Sequence, residues 1–175
     1  MTAKIESLRD LYVDHLKDLY SAENQITKAL PKVIKNVTSP ELKKALENHL
    51  KETMKQVDRI EQIFSSLDGS PRGKKCVGME GVLEEGKEAM AEKMPADLMD
   101  AALIGGCQKV EHYEISAYGT VRAFAELLGE DEAVDLLGQT LEEEKAADAK
   151  LTELGVNIVN LEAMQEGSMM TKERM

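Results

Sequence analysis

Four long stretches of this sequence place apolar residues in steps of three and four, and each stretch carries acidic residues near its middle on the same stripe. Such steps are typical of an α-helix that packs one face against a core. The stretches cover residues 4–36, 39–68, 96–128 and 131–154. Only 3% of the residues are aromatic and Trp is absent, which also favours helix over sheet. We therefore expect an all-α fold.

The third stretch shows the pattern most clearly. Glu111 and Glu114 are three residues apart, so they share a face of the helix. Apolar side chains define that face as the buried one: Leu98, Ala101, Ile104 and Ile115. Acidic residues therefore occupy positions where a hydrophobic core is expected.

The other three stretches repeat this arrangement. The helix midpoints fall near residues 20, 54, 112 and 143, and midpoints lie at one level when helices pack antiparallel. The inward acidic residues lie close to these midpoints, so we expect their side chains to converge. The candidate metal ligands are Glu23, Glu52, Glu111, Glu114, Glu144 and Asp148, and Gln56 and His49 are further candidates as alternative ligands or supporting polar groups.

The connection between the second and third long helices is long, and residues 76–92 within it are expected to form a short extra helix on the outside. Four long helices with one long crossover describe a ferritin-like four-helix bundle. We expect residues 1–160 to form this bundle. Residues 161–175 have weak periodicity and are expected to lie along the surface or to be disordered.

Several residues predict where the helices begin and end. Ser39 before Pro40 is typical of a helix start. Pro31 should kink the first helix or end it near Leu30, and Gly155 should end the last one.

The net charge of −11 argues against nucleic acid and anionic membranes as partners, because both would repel the chain. The N-terminus has no apolar signal region, and no run is long enough to span a membrane. Cys76 and Cys107 form no CxxC motif and suit a reducing compartment. We expect a soluble cytoplasmic protein.

Buried carboxylates with no lysine or arginine on their face are costly as isolated charges. Protons, cations or water must neutralise them, and metal ions do so most effectively. Carboxylate oxygens suit iron or manganese, and pairs spread over four helices suit two ions. Six carboxylates with two divalent ions leave two negative charges. Either the ions are ferric, or some acids stay protonated or outside the coordination sphere.

Three choices remain open at this point. Glu144 competes with Glu142 and Glu143, which we expect to be exposed. Gln56 and His49 could be ordinary buried polar groups that make hydrogen bonds. His112 lies one position off the inner face and is expected to point outward.

Several motifs occur in an order that resembles the YciE/YciF-type family of bacterial ferritin-like proteins, over nearly the whole chain to about residue 160. The resemblance implies a ferritin-like core, a dimer, a carboxylate-bridged dinuclear metal centre and a link to bacterial stress responses. The motifs are DLYSAE at 18–23, TSPEL at 38–42, HLKET at 49–53, CVGMEG at 76–81, EHYE at 111–114 and LEEEK at 141–145.

The sequence departs from familiar ferritin-like di-iron sites, because their Glu-x-x-His motif is absent. Two classes of function follow. One is a redox metalloprotein, a ferroxidase-like enzyme that oxidises Fe(II) with O2 or peroxide. The other is a non-catalytic structural or interaction protein of the stress response with a structural metal site. We expect a homodimer in either case.

Overall fold

The computed structural model describes residues 4–165, and that part of the chain contains helices and no strands. The all-α prediction is confirmed. None of the described helices is both long and apolar enough to cross a membrane. The elements are α1 (Leu8–Asn36), α2 (Pro40–Ser66), α3 (Val77–Ala91), α4 (Ala96–Leu128) and α5 (Asp131–Leu154), with a π-helical turn at Gly155–Val159.

The helix ends follow local side-chain chemistry. Ser39 caps α2 as predicted, because its hydroxyl accepts a hydrogen bond from the Leu42 N–H at 3.4 Å. The Cys76 thiol takes the same position at the start of α3. Gly129 ends α4 with a left-handed backbone (φ 72°), a conformation that glycine adopts without steric cost.

The four long helices contact one another in a ring. Helix α1 packs against α2 and α4, and α5 packs against the same two helices from the other side. Helix α3 lies in the long connection between α2 and α4, packs against α1 and α4, and fully buries only Met79. The four long helices therefore enclose the interior of the protein.

The interior consists of two apolar clusters with a polar layer between them. Along α1, Leu19 belongs to one cluster and Ile26 to the other, with Glu23 between them. The other long helices change cluster at the same level. We define the polar layer as the buried residues Glu23, His49, Gln56, Glu111, Glu114 and Glu144.

Pro31 does not end the first helix. Helix α1 continues past Pro31 to Asn36, the predicted end of the first stretch, so the alternative in which it ends near Leu30 is wrong. Pro31 is exposed and close to the helix end, so the hydrogen bond that it removes lies near solvent. Helix α5 ends at Leu154 with Gly155 at its C-cap, as predicted, but Gly155 has right-handed helical angles (φ −60°, ψ −53°) and the chain continues into the π-helical turn.

The last helix continues because its extension is buried. After the π-helical turn, α-helical geometry resumes over residues 160–165. Val159 and Ala163 are only 1% and 6% exposed. The predicted boundary at residue 160 therefore divides a continuous helical segment, and residues 166–175 of the predicted tail lie outside the described residues.

The turn between α1 and α2 is attached to α4 by one carboxylate. Asp100 is 2% exposed. It accepts hydrogen bonds from the backbone N–H groups of Thr38 (2.9 Å) and Ser39 (2.7 Å) and from the Thr38 hydroxyl (2.8 Å). These bonds satisfy backbone donors at the start of α2 that the helix itself leaves unpaired.

Replacing Asp100 with alanine is expected to lower the free energy of unfolding by about 3 kcal/mol, because buried N–H donors lose their acceptor. Urea denaturation measures this change. Asp97→Ala, in the first turn of the same helix, is the control and should cost less than about 1 kcal/mol. Equal losses in the two variants would contradict the assigned role of Asp100.

Candidate metal centre

Four buried side chains from three helices meet at the centre of the polar layer. Each of them offers one ligand atom, and these atoms all lie within 4.8 Å of one another. The four residues are His49 on α2, Glu111 and Glu114 on α4, and Glu144 on α5. Three carboxylates and an imidazole at this separation can coordinate a metal ion.

Helix periodicity explains the geometry. Glu111 and Glu114 project from adjacent turns of α4 on the face that also carries buried Val110 and Tyr118. Glu144 follows Leu141 by three residues on the buried face of α5. The predicted choice of Glu144 over its two neighbours therefore agrees with its burial, since Glu144 is 0% exposed.

Helix α1 contributes Glu23, which is also 0% exposed. Its Oε1 accepts a hydrogen bond from the hydroxyl of buried Tyr118. Burial, and next the charge of Glu23, raises the pKa of Glu114 well above its usual value. All four long helices thus supply a polar side chain to one layer.

Many polar atoms of this layer have no hydrogen-bond partner. Among the described residues, all the buried side-chain nitrogens and oxygens without a partner belong to the polar layer, except the Tyr12 hydroxyl. Both carboxylate oxygens of Glu114 and of Glu144 are in this state. His49 Nε2 lies 3.3 Å from Glu111 Oε1, yet neither ring nitrogen makes a hydrogen bond. Unpaired buried polar atoms are rare in native proteins and indicate a missing ion or water.

Burial dominates the ionisation of the layer. It raises the pKa of Glu23 to about 8 and that of Glu144 to about 7. Burial, together with the charge of Glu144, raises the pKa of Glu111 well above its usual value. For His49 burial lowers the pKa to about 4, so the imidazole is neutral at pH 7. A neutral imidazole is the form that binds metal.

The metal-free protein is expected to lose stability as the pH rises. Folding raises the pKa of Glu144 from 4.5 to about 7 and that of Glu23 from 4.5 to about 8. The protonated carboxyls stabilise the native state fully below the unfolded pKa, and this contribution is lost as the pH rises through the two folded pKa values. His49 has the opposite effect on stability because folding lowers its pKa, but this effect is confined to pH values below its unfolded pKa of 6.5. Between pH 6.5 and 8.5 the melting temperature should therefore fall by at least about 5 °C. Calorimetry with chelator tests this, and an unchanged or rising melting temperature would contradict it.

Two predicted ligands lie outside the cluster. Glu52 is half-buried and lines an opening between α2 and α5, beside His49. The side chain of Asp148 is 22% exposed. Asp148 accepts a hydrogen bond from Gln108 at 3.2 Å and lies 3.3 Å from His112 Nε2. The His112 side chain itself is 69% exposed, as predicted for an outward residue.

The prediction that no arginine reaches this face is wrong. The Arg59 side chain is only 12% exposed, and its guanidinium makes two hydrogen bonds to Glu143, at 2.5 and 2.7 Å. Gln56 donates a third hydrogen bond to Glu143, at 3.2 Å. Glu143 is therefore half-buried rather than exposed. Arg59 precedes Ile60 and lies one position off the α2 stripe, so the periodicity gave no sign that its long side chain reaches inward.

Two openings reach the cluster, and both are lined by His49 and Glu111. The opening between α2 and α5 has a volume of about 540 Å³ and is lined by charged side chains, including Glu52 and Lys150. The opening between α1, α3 and α4, which we call the α3 cavity, has a volume of about 310 Å³ and mostly apolar walls. The cluster therefore lies beside both openings, while most of its ligand atoms are buried.

Comparison with known proteins gives consistent matches over most of the chain. The family described as Domain of unknown function (DUF892) matches residues 7–164. Protein YciF of Escherichia coli (strain K12) is 44% identical over 160 residues, which are 91% of this chain and 96% of YciF.

Three solved structures are similar to this chain over most of its length. The crystal structure of the E. coli stress protein YciF superposes with a TM-score of 0.86 at 44% identity, covering 89% of this chain and 99% of that one. YcfI of Rhodopseudomonas palustris, whose description proposes a structural role, gives 0.84 at 43% identity, covering 87% and 97%. A protein from Xanthomonas campestris pv. campestris, at 23% identity, shares the fold with a TM-score of 0.73 and covers 91% and 98%.

Proposed function

The chain belongs to the family described as Domain of unknown function (DUF892), and we propose that it binds two metal ions in its polar layer. In this proposal the protein is a ferritin-like four-helix bundle and the ions are iron or manganese. The observation that carries the proposal is the set of unpaired buried oxygens and nitrogens on Glu23, His49, Glu111, Glu114 and Glu144. Bound cations would give these atoms partners that the protein itself does not provide.

The charge of the layer supports two ions. When they are ionised, as they would be with metal bound, the four carboxylates of Glu23, Glu111, Glu114 and Glu144 contribute four negative charges, and His49 is neutral at pH 7. Two divalent ions balance these four charges. With six ionised acids in the layer, two negative charges would stay unbalanced. Leaving Glu52 and Asp148 outside the cluster therefore removes the excess of two negative charges expected from the sequence.

The acidic residues and His49 have different roles in this proposal. His49, Glu111, Glu114 and Glu144 would hold metal directly, since their ligand atoms already lie within 4.8 Å of one another. Glu23 would complete the ligand set from α1, and the hydroxyl of Tyr118 orients its carboxylate. Glu52 lies in the charged opening, where a carboxylate attracts cations on their way to His49.

Iron or manganese bound by such ligands supplies one-electron redox chemistry. In this form of the proposal, Fe(II) is the substrate and O2 or peroxide is the oxidant, and the protein acts in a bacterial stress response, as the description of E. coli YciF as a stress protein suggests. The protein's own contribution is to bind the ions, balance their charge and keep bulk water away from them.

The second candidate function is a structural protein whose metal site does not turn over. The description of R. palustris YcfI favours this alternative, and so does the single imidazole of the cluster. In this case the ions hold α1, α2, α4 and α5 together without redox chemistry. A homodimer is proposed for both functions, and sedimentation velocity measures it.

Anaerobic titration of the metal-free protein with Fe(II), and separately with Mn(II), tests the proposal. We expect saturation at about two ions per chain and a rise in melting temperature on binding. Admitting O2 or peroxide then separates the two functions. Oxidation of the bound Fe(II) faster than in buffer supports the redox protein, and binding without faster oxidation supports the structural one. Absence of stoichiometric binding would reject the metal centre.

A further inference from the structure

The α3 cavity has the shape and lining of a small-molecule site. It runs between α1, α3 and α4, and its walls are formed largely by aliphatic side chains such as Ile26, Val82, Leu83 and Leu103. Its volume of about 310 Å³ falls at the lower end of the range for ligand pockets. It corresponds to about ten water molecules, and hence to an aliphatic chain of about eight to ten carbons.

Two glycines leave this space open. Gly86 on α3 and Gly106 on α4 both line the cavity, and a Cβ added at either position would meet no atom within 4 Å. Glycine inside a helix is less stable than alanine by about 1 kcal/mol. No neighbouring atom requires a glycine at these two positions, so both have room for a larger side chain that would project into the cavity.

The charges at the two ends of the cavity differ. Exposed Lys28 and Lys32 of α1 line it, and neither forms an ion pair within residues 4–165. The acidic residues nearby are already neutralised, because Glu84 pairs with Lys87 and Glu80 with Lys75. The inner end instead carries His49 and Glu111 of the polar layer. A negative group is therefore favoured at the lysines and repelled at the inner end.

We propose that the α3 cavity binds a medium-chain aliphatic carboxylate, with its carboxylate at Lys28 and Lys32 and its alkyl chain extending inward past Gly106. Apolar walls bury the chain and remove it from water. The unpaired lysines offer ammonium donors to the head group. His49 and Glu111 line the inner end of the site. The aliphatic walls and the two lysines lie outside the polar layer, so the site shares only this inner end with the proposed metal centre.

Isothermal titration of the full chain with decanoate, below its micelle concentration and with metal-free protein, tests the proposal. We expect one decanoate per chain and binding of butyrate at least about tenfold weaker, since most of the apolar surface is lost. Gly106→Leu should weaken decanoate binding at least about tenfold by filling the cavity. Gly105→Leu is the matched control, because Gly105 is the adjacent residue, exposed and outside the cavity lining. It should bind like the unmodified chain.

Two further variants make the test independent of any single substitution. Gly86→Leu fills the cavity from α3 and should have the same effect as Gly106→Leu. The double variant Lys28→Gln/Lys32→Gln should weaken decanoate binding about fivefold or more while leaving decanol binding unchanged, because only decanoate carries a charge. The proposal is overturned if decanoate binds the filled variants normally. It is also overturned if Gly106→Leu changes the oligomeric mass instead, since a second copy of the chain would then cover the cavity.

Discussion

Replacing Glu111 with glutamine is expected to weaken the binding of Fe(II) or Mn(II) to the metal-free protein by about 100-fold or more. Glu111 belongs to the four-residue cluster, and its Oε1 lies 3.3 Å from His49 Nε2. Glutamine keeps the volume and removes the charge. The affinity measured by anaerobic calorimetric titration should fall, and the rise in melting temperature on adding metal should disappear.

Glu126→Gln is the matched control for this experiment. Glu126 lies on the same helix and is exposed, so the substitution makes the same change in net charge without touching the layer. It should leave metal affinity within about twofold of the unmodified chain, as expected for a distant surface charge. If both variants bind metal normally, Glu111 is not a ligand and the assignment of the cluster is wrong.

The double variant Glu114→Gln/Glu144→Gln should stabilise the metal-free protein at pH 8 by about 2–4 kcal/mol while abolishing its stabilisation by metal. Burial raises the pKa of both carboxyls, so ionising them at this pH costs free energy that neutral amides avoid. The expected gain should shrink at pH 6, where the unmodified acids hold their protons. Substitutions that destroy binding would thus strengthen the fold, a trade-off often found at functional sites.

Guanidinium denaturation at pH 6 and pH 8, with and without Mn(II), measures both effects. Glu126→Gln/Glu142→Gln serves as the control, because these two exposed acids lie on the same two helices as Glu114 and Glu144. The control should change the free energy of unfolding by less than about 1 kcal/mol at either pH and keep the response to metal. A double variant less stable than the unmodified chain at pH 8 would mean that hydrogen bonds, rather than cations, satisfy these acids.

Hydrophobic periodicity predicted most of the fold and the centre of the polar layer. The four long helices and the burial of Glu23, Glu111, Glu114 and Glu144 follow from stripes of apolar residues whose phase the sequence defines. Periodicity resolves a helix face only to about one residue in each direction. Glu52 borders its stripe and Asp148 lies on its stripe, yet packing leaves both partly exposed.

His49, predicted as an alternative ligand, stands on the α2 stripe between Leu46 and Thr53, whereas Glu52 only borders that stripe. Spacing along α2 therefore favours His49 over Glu52 as the inward residue. The pairing of Arg59 with Glu143 had no such signal, because it joins two side chains 84 positions apart in the sequence. The two openings depend on how far apart the helices lie, which periodicity does not encode. These features required the three-dimensional structure.

The π-helical turn at Gly155–Val159 has a consequence for insertions and deletions. A π-turn contains about one residue more than the α-helical turn it replaces. The segment therefore contains a residue that a regular helix would not need. Relatives that lack this residue could form a regular α-helix there, and their sequences would align with a one-residue gap between positions 154 and 160. The end of α5 is thus the place in a long helix of this protein where a change in chain length is best tolerated.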